Sequence, residues 1–208
     1  MTIVRNKLYI IFTLFSIFLI SLETAAFAKD TEDEKSIKRA QQYFNNLRSI
    51  EANFTQTDSS NQTREGKFFL SRPNKLRLDY NTPQKEMIML SEDMFIHFNE
   101  ELSEVSYLSA GQFPISFLSR RDLDLKKDAK ILNIIQNNST LSLELELPTK
   151  EEYKPRLTLG FDKNPFNLKS IVVQEPDGKT VLLELVSAKY NTDIDNKTFE
   201  FKNPNFFK

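Results

Sequence analysis

The chain has 208 residues, 28 lysines and arginines against 29 acidic residues, one histidine, no cysteine and no tryptophan. A net charge of −1 gives no electrostatic reason to expect a nucleic-acid partner. Without cysteine there is no disulfide and no thiol for lipid attachment, and a single histidine excludes the common zinc constellations.

The first segment reads as a targeting signal. A short basic start with Arg5 and Lys7 precedes the apolar run "LYIIFTLFSIFLISL", residues 8–22, and "ETAAFA" ends in the small-x-small pattern Ala26-Phe27-Ala28. That order predicts a secretory signal peptide over 1–28, cleaved after Ala28. This predominantly apolar run of 15 residues is short for a bilayer core, which needs about 20. The mature chain, 29–208, is long enough for one domain with a substantial core. Without Arg5, Lys7 and Glu23 it carries 26 cations against 28 anions, and 14 of the 18 phenylalanines.

"KDTEDEKSIKRAQQYFNNLRSI" predicts the one long helix. Thr31 with Glu34 has capping-box form, and Ile37, Ala40, Phe44 and Leu47 make a stripe at helical spacing. From Ile50 the period changes to two. "SIEANFTQT", "GKFFL", "KLRLDY", "EMIML", "MFIHF" and "EVSYL" are short extended candidates between polar or Gly/Pro breaks. In "KLRLDY", Leu76, Leu78 and Tyr80 fall on one face and Lys75, Arg77 and Asp79 on the other. "GQFPISFLSRRDLDLKKDA", 111–129, breaks the alternation. Its Pro114 can open a helix, so a short helical lid over the sheet is expected there. "TLSLELELP", "RLTLGF", "SIVVQE", the Pro-Asp-Gly hairpin before "KTVLLELVSAKY", and "KTFEF" complete the set. About ten strands at this spacing predict a mainly β protein with helices (α+β), built on an antiparallel sheet that must curl to bury its apolar face.

A catalytic centre is hard to assemble from these residues. His97 alternates with Ile96 and Phe98 and reads as a polar-face strand residue, not a lone general base. The carboxylate clusters "TEDEK", "EELSE" and "KEEYK" sit on helix or turn positions and read as solvated surface. Four glycines leave no phosphate-binding loop. No enzyme, metal or cofactor is expected. A secreted hydrolase would have to rely on His97.

The order of segments resembles the outer-membrane lipoprotein carrier family, LolA. "LRSIEANFTQT" is similar to the family's opening phrase through Ile50, Ala52, Phe54 and Gln56. "REGKFFLSRPNKLRLDYNTP" is the most family-like stretch, with a Gly-led strand, Arg-Pro-Asn and an alternating strand ending before a proline. "MFIHFNEELSEVSYL" resembles the aromatic strand, turn and return strand, "GQFPISFL" the Pro-led lid helix, and "FEFKNP" the closing phrase. The chain departs from the pattern in Ser91-Glu92-Asp93, where many members have an Asp-Gly turn. It also has phenylalanine in place of tryptophan and only a short segment after Phe201.

The resemblance implies a curled, unclosed antiparallel half-barrel whose apolar cavity is roofed by a helical lid. Such carriers take the acyl chains of triacylated lipoproteins through the periplasm, from an inner-membrane ABC transporter to an outer-membrane receptor. Lacking the lipid-attachment cysteine of LolB-type receptors, this chain matches the soluble carrier, expected as a monomer with no nucleic-acid partner. Arg72 and Pro73 are then expected to close the lid. The acyl-chain cavity is expected to involve Phe44, Leu47, Phe54, Phe68, Leu70, Leu76, Leu78, Tyr80, Met87, Met89, Ile115, Phe117 and Leu118. An exported phospholipid- or amphiphile-binding protein, or an envelope lipid sensor, is the alternative within the binding class.

Overall fold

The computed structural model describes residues 31–91, 94–109, 113–149, 152–175 and 177–204. The expected signal peptide and its cleavage site lie outside the described residues, as do Glu92, Asp93, Gly111 and Gln112 from the motifs above. No helix among the described residues is long and apolar enough to cross a membrane. The chain divides between Ala40 and Gln41 into two compact units. Helix α1 (31–46) crosses that boundary, and only its part from Gln41 onward belongs to the second unit.

The second unit is a single antiparallel sheet of eleven strands. These are β1 (Ser49–Asp58), β2 (Thr63–Ser71), β3 (Lys75–Thr82), β4 (Glu86–Ser91), β5 (Met94–Asn99), β6 (Glu104–Ser109), β7 (Lys130–Gln136), β8 (Thr140–Glu146), β9 (Arg156–Lys163), β10 (Phe166–Gln174) and β11 (Thr180–Tyr190). Their order is β6-β5-β4-β3-β2-β1-β11-β10-β9-β8-β7. The sheet does not close: β6 and β7, consecutive in the chain, are its two opposite edges. The segment between them therefore has to cross from one edge to the other, which makes it the lid of an unclosed half-barrel.

Alternation within the strands builds the inner face. Phe54, Phe68, Leu70, Leu76 and Leu78 in one half, and Leu141, Leu143, Leu145, Leu157, Leu159 and Phe161 in the other, are all at most 4% exposed. Each such side chain contributes roughly 1.5–3 kcal/mol on burial. Two glycines mark close strand approaches. A Cβ at Gly66 would lie 2.0 Å from the Asp79 carbonyl oxygen, beside a register slip between Glu65 and Gly66. A Cβ at Gly160 would lie 2.2 Å from the Ser170 hydroxyl, where β9 and β10 slip between Leu168 and Ser170. Bulges paired with glycine are how a sheet turns a corner, and here each half has one.

Two elements depart from the sequence reading. β7 goes unforeseen because a bulge between Ile131 and Asn133 breaks the period of "KILNIIQ". The strand expected in "KTFEF" is instead a turn of 3-10 helix, Asn196–Phe199, because the Asp195 side chain caps it by accepting from the Lys197 N–H at 2.9 Å. The short lid helix is present as expected, a six-residue 3-10 helix, Pro114–Ser119, with proline in its first turn, followed by bends and turns up to β7.

Candidate functional site

The crossover is fastened to the sheet by the turn between β2 and β3. A helical segment ends in carbonyls that have no partner of their own, and the "SRPN" turn supplies donors to two such ends. The Arg72 guanidinium donates from Nε and Nη2 to the Arg120 carbonyl at 2.9 and 2.5 Å, and from Nη2 to the Arg121 carbonyl at 3.1 Å. Its Nη1 donates to the Phe44 carbonyl and, at 3.3 Å, to that of Leu47, at the C-terminal end of α1. A cation is favoured there by the helix dipole. Burial lowers the Arg72 pKa, with Asp122 and Tyr43 opposing the fall, and a guanidinium stays charged throughout. Asn74, in the left-handed region at φ 62°, donates its N–H to the Ser119 carbonyl at 2.8 Å. Pro73 stands between these two and has no N–H to give.

Gln41 is a second anchor that the sequence does not announce. Its Nε2 donates to the Leu123 carbonyl at 2.7 Å and its Oε1 accepts from the Leu125 N–H at 2.8 Å. Nothing distinguishes it from its neighbour Gln42 except helical phase. Beside it, the Tyr43 ring meets Phe44, Phe161 and Phe166 edge-on at 5.4–5.8 Å. The Tyr43 hydroxyl accepts from the Leu168 N–H at 3.2 Å, and burial pushes its pKa up.

Between the crossover and the sheet lies a cavity of about 1020 Å³, at the upper end of ordinary ligand clefts, roughly 300–1,000 Å³. Both halves of the sheet line it, with Leu78, Tyr80 and Ile88 on one side and Ile171, Val173, Val181 and Leu183 on the other. Phe113, Pro114 and Ile115 come from the crossover. Of the residues singled out in the sequence, Leu78, Tyr80 and Ile115 are at its wall. Phe54, Phe68, Leu70 and Leu76 share that inner face but are buried in the core, as are Phe44, Leu47, Phe117 and Leu118 on the elements that cover it.

Met87 and Met89 are a correction. Leu76 pairs with Leu90 and Leu78 with Ile88, so Ile88 and Leu90 face inward and the two methionines face out. There they form a small cluster with Ile96, packed under Phe98, Val105, Phe199 and Phe201. A C-terminal strap holds this outer cover in place. Arg77 donates to the Thr198 carbonyl at 2.8 Å, Lys75 to the Asn196 side chain at 2.7 Å, and the Phe98 and Phe201 rings lie 5.6 Å apart.

The same registers turn His97 inward, opposite Ile88, into a polar belt at the far end of the inner face. Gln56 pairs directly with Arg64 and Tyr80 with Glu86. The Arg64 guanidinium lies 3.9 Å from the centre of the Tyr80 ring and reaches Glu86 at 2.6 Å. His97 Nε2 is 3.4 Å from the same Glu86 oxygen. The Tyr80 hydroxyl donates to Gln56 Oε1 at 2.7 Å, and burial pushes its pKa up to about 12. Burial works to raise the Glu86 pKa, but the bonds from Arg64 and His97 outweigh it and hold the carboxyl below its ordinary range. Among the described residues no group of acidic or histidine side chains is arranged to hold a metal ion.

An unclosed antiparallel half-barrel with a tethered crossover over an apolar cavity defines a class of binding protein. Residues 45–202 match the family model described as "Outer membrane lipoprotein carrier protein LolA", and the chain belongs to that family. An outer-membrane lipoprotein carrier protein of Haemophilus ducreyi is 26% identical over 201 residues, covering 92% of this chain and 90% of the relative. An uncharacterized protein of Rickettsia prowazekii is 23% identical over 168 residues, 79% of this chain and 76% of its own. The crystal structure of an uncharacterized conserved protein from Thermus thermophilus shares the fold, with a TM-score of 0.50 at 9% identity. That match covers 83% of this chain and 96% of the other.

Proposed function

We propose that this chain is a periplasmic chaperone, soluble after signal-peptide cleavage, that shelters the acyl chains of triacylated lipoproteins in its inner cavity. In this reading it is a monomeric carrier and not an enzyme. It collects cargo from an inner-membrane lipoprotein-releasing ABC transporter and delivers it to an outer-membrane receptor. The observation that carries the proposal is the cavity of about 1020 Å³ beneath a crossover tied down by Arg72, Asn74 and Gln41, in a member of the LolA family. Each methylene taken out of water is worth roughly 0.8 kcal/mol, so acyl chains do not cross an aqueous space unaided at a useful rate. A carrier needs an apolar cavity and a cover that yields; Phe113, Pro114 and Ile115 are well placed to yield when chains enter.

Arg72 is the latch in this mechanism. Hydrogen bonds from a charged donor contribute roughly 1.5–3 kcal/mol each, enough together to hold the crossover down when empty and few enough to be replaced by acyl burial. Arg72→Leu should fold but load or release lipoproteins abnormally, with faster proteolysis within 113–129. Arg72→Lys, keeping the charge without the planar fork, should fall between. Shuttling by Arg72→Leu at the unaltered rate would sink the latch. Native mass spectrometry of the protein from cells coexpressing a triacylated lipoprotein tests the cargo. A one-to-one complex that depends on the acyl chains is expected, whereas phospholipid alone would make the chain a general amphiphile binder.

A further inference from the structure

Arg64 and Arg72 stand at opposite ends of β2. Arg72 marks the end held shut by the crossover, and Arg64 the end where the cavity opens, since its lining there includes the exposed Glu152 and Glu175. Arg64 is the sole lysine or arginine among the described lining residues, and its charge is met by Glu86 at 2.6 Å. Three neighbouring cations have carboxylates of their own: Lys154 lies 3.7 Å from Glu146, Arg156 3.6 Å from Glu144, and Lys179 2.6 Å from Asp177, with Glu175 a weaker second neighbour of Lys179. Glu152 and Glu175 against Arg64 thus leave the lining with an excess of negative charge, and Glu86, paired with Arg64, adds to it, while Arg64 and the Gln56 amide still present N–H donors suited to carbonyl oxygens.

We propose that this mouth is a selectivity element: it accepts uncharged, ester- and amide-bearing acyl heads and rejects lipids that carry a phosphate. The proposal rests on the acyl-carrier reading and sharpens it, because a carrier working among membranes meets far more phospholipid than acylated protein. The acyl chains of the two ligands are alike, so the cavity wall cannot tell them apart. What differs is the linker: ester, thioether and amide in one, an anionic phosphodiester in the other. A phosphate at the mouth would lose water, find its one cation already paired, and face two further carboxylates. A neutral head brings no charge to repel and offers acceptors to Arg64 and Gln56.

The test is competition against a bound fluorescent fatty-acid methyl ester, whose head carries no charge, with three probes. These are a triacylated cysteinyl peptide, a diacylglycerol, and a phosphatidylglycerol with the same chains as the diacylglycerol. The protein should prefer diacylglycerol to phosphatidylglycerol. Glu86→Gln, which leaves the Arg64 charge unmatched, should narrow that preference about tenfold, the factor given by about 1.4 kcal/mol. The double variant Glu152→Gln/Glu175→Gln, on exposed positions, should narrow it as well. Added salt should shrink the preference in the unsubstituted protein. Equal affinity for the two diacyl lipids, or a preference that neither variant changes, overturns the selectivity element while leaving the carrier intact. If the peptide and both lipids all fail to compete, the carrier reading falls, and this inference with it.

Discussion

Strands β4 and β8 lie in opposite halves of the same sheet and treat their outer faces differently. In β8 the leucines 141, 143 and 145 point inward, while the polar Ser142, Glu144 and Glu146 lie half-buried on the outer face, where Glu144 and Glu146 meet Arg156 and Lys154 at 3.6 and 3.7 Å. In β4 both faces are apolar: Ile88 and Leu90 look inward, Met87 and Met89 outward beneath Phe199 and Phe201. An antiparallel sheet needs only one dry face, so the second cover is an addition confined to one half. It lets β3 to β6 be held from both sides while the other half depends on the inner face alone.

Substitutions that exchange the character of these outer faces should break one half and spare the other. The largest effect is expected from Met89→Glu, which places a carboxylate where the side chain is 1% exposed. An unpartnered buried charge costs about 3–5 kcal/mol, a large share of the roughly 5–15 kcal/mol typical of domains. A urea titration should show the midpoint collapse. A midpoint close to that of the unsubstituted protein would mean that the strap peels away freely. Phe199→Ala removes part of that strap from a half-buried position and should cost roughly 1–2 kcal/mol. Because the site lies outside the cavity, fatty-acid binding should persist, and its loss would place Phe199 in the binding machinery.

The acid side of the stability profile gives a smaller effect. The folded-state pKa of Glu86 lies below its ordinary 4.5. Its contribution is therefore present above that value and lost as pH falls through the depressed one. Glu86→Gln should flatten stability below about pH 4.5, by a modest amount because Arg64 retains 28% side-chain exposure. An unchanged acid limb would show that the pair contributes nothing to folding. The smallest effect belongs to Glu144→Met, the mirror image of the first variant. On the wet face of β8 it should shift stability by no more than about 0.5 kcal/mol, and a large loss would reveal an unseen dependence on the Arg156 pair.

The same contrast explains what the sequence makes legible. β3 and β8 alternate strictly, so Leu76, Leu78, Tyr80 and the β8 leucines can be assigned to a face from the period alone. "EMIML" has four consecutive apolar residues, and parity there is fixed by pairing with β3 and by a strap more than a hundred residues away. Its methionines and its Ile88 and Leu90 are equally apolar sets, and the period does not choose between them. His97 falls on the unexpected face for the same reason, since its neighbours Ile96 and Phe98 are apolar on behalf of the outer cluster. Arg72 is legible through a motif, whereas Gln41 acts only through a fold that brings Leu123 and Leu125 within reach.

The order of strands also bears on how the chain assembles. Ten antiparallel pairings make the sheet, and nine of them join neighbours in the chain. The tenth, β1 with β11, sets Ile50 against Tyr190 and Phe54 against Leu185, at the centre of the sheet. Two local meanders can therefore form by short-range hairpin closure, and a single distant zippering unites them. Closing a loop of that length costs roughly 4 kcal/mol in chain entropy beyond a constant, ahead of any return from the contacts it makes. Folding speed should accordingly respond to weakening of Phe54 or Leu185 more than to equal losses in β5 or β8, which makes the middle of the sheet the slowest part of the molecule to build.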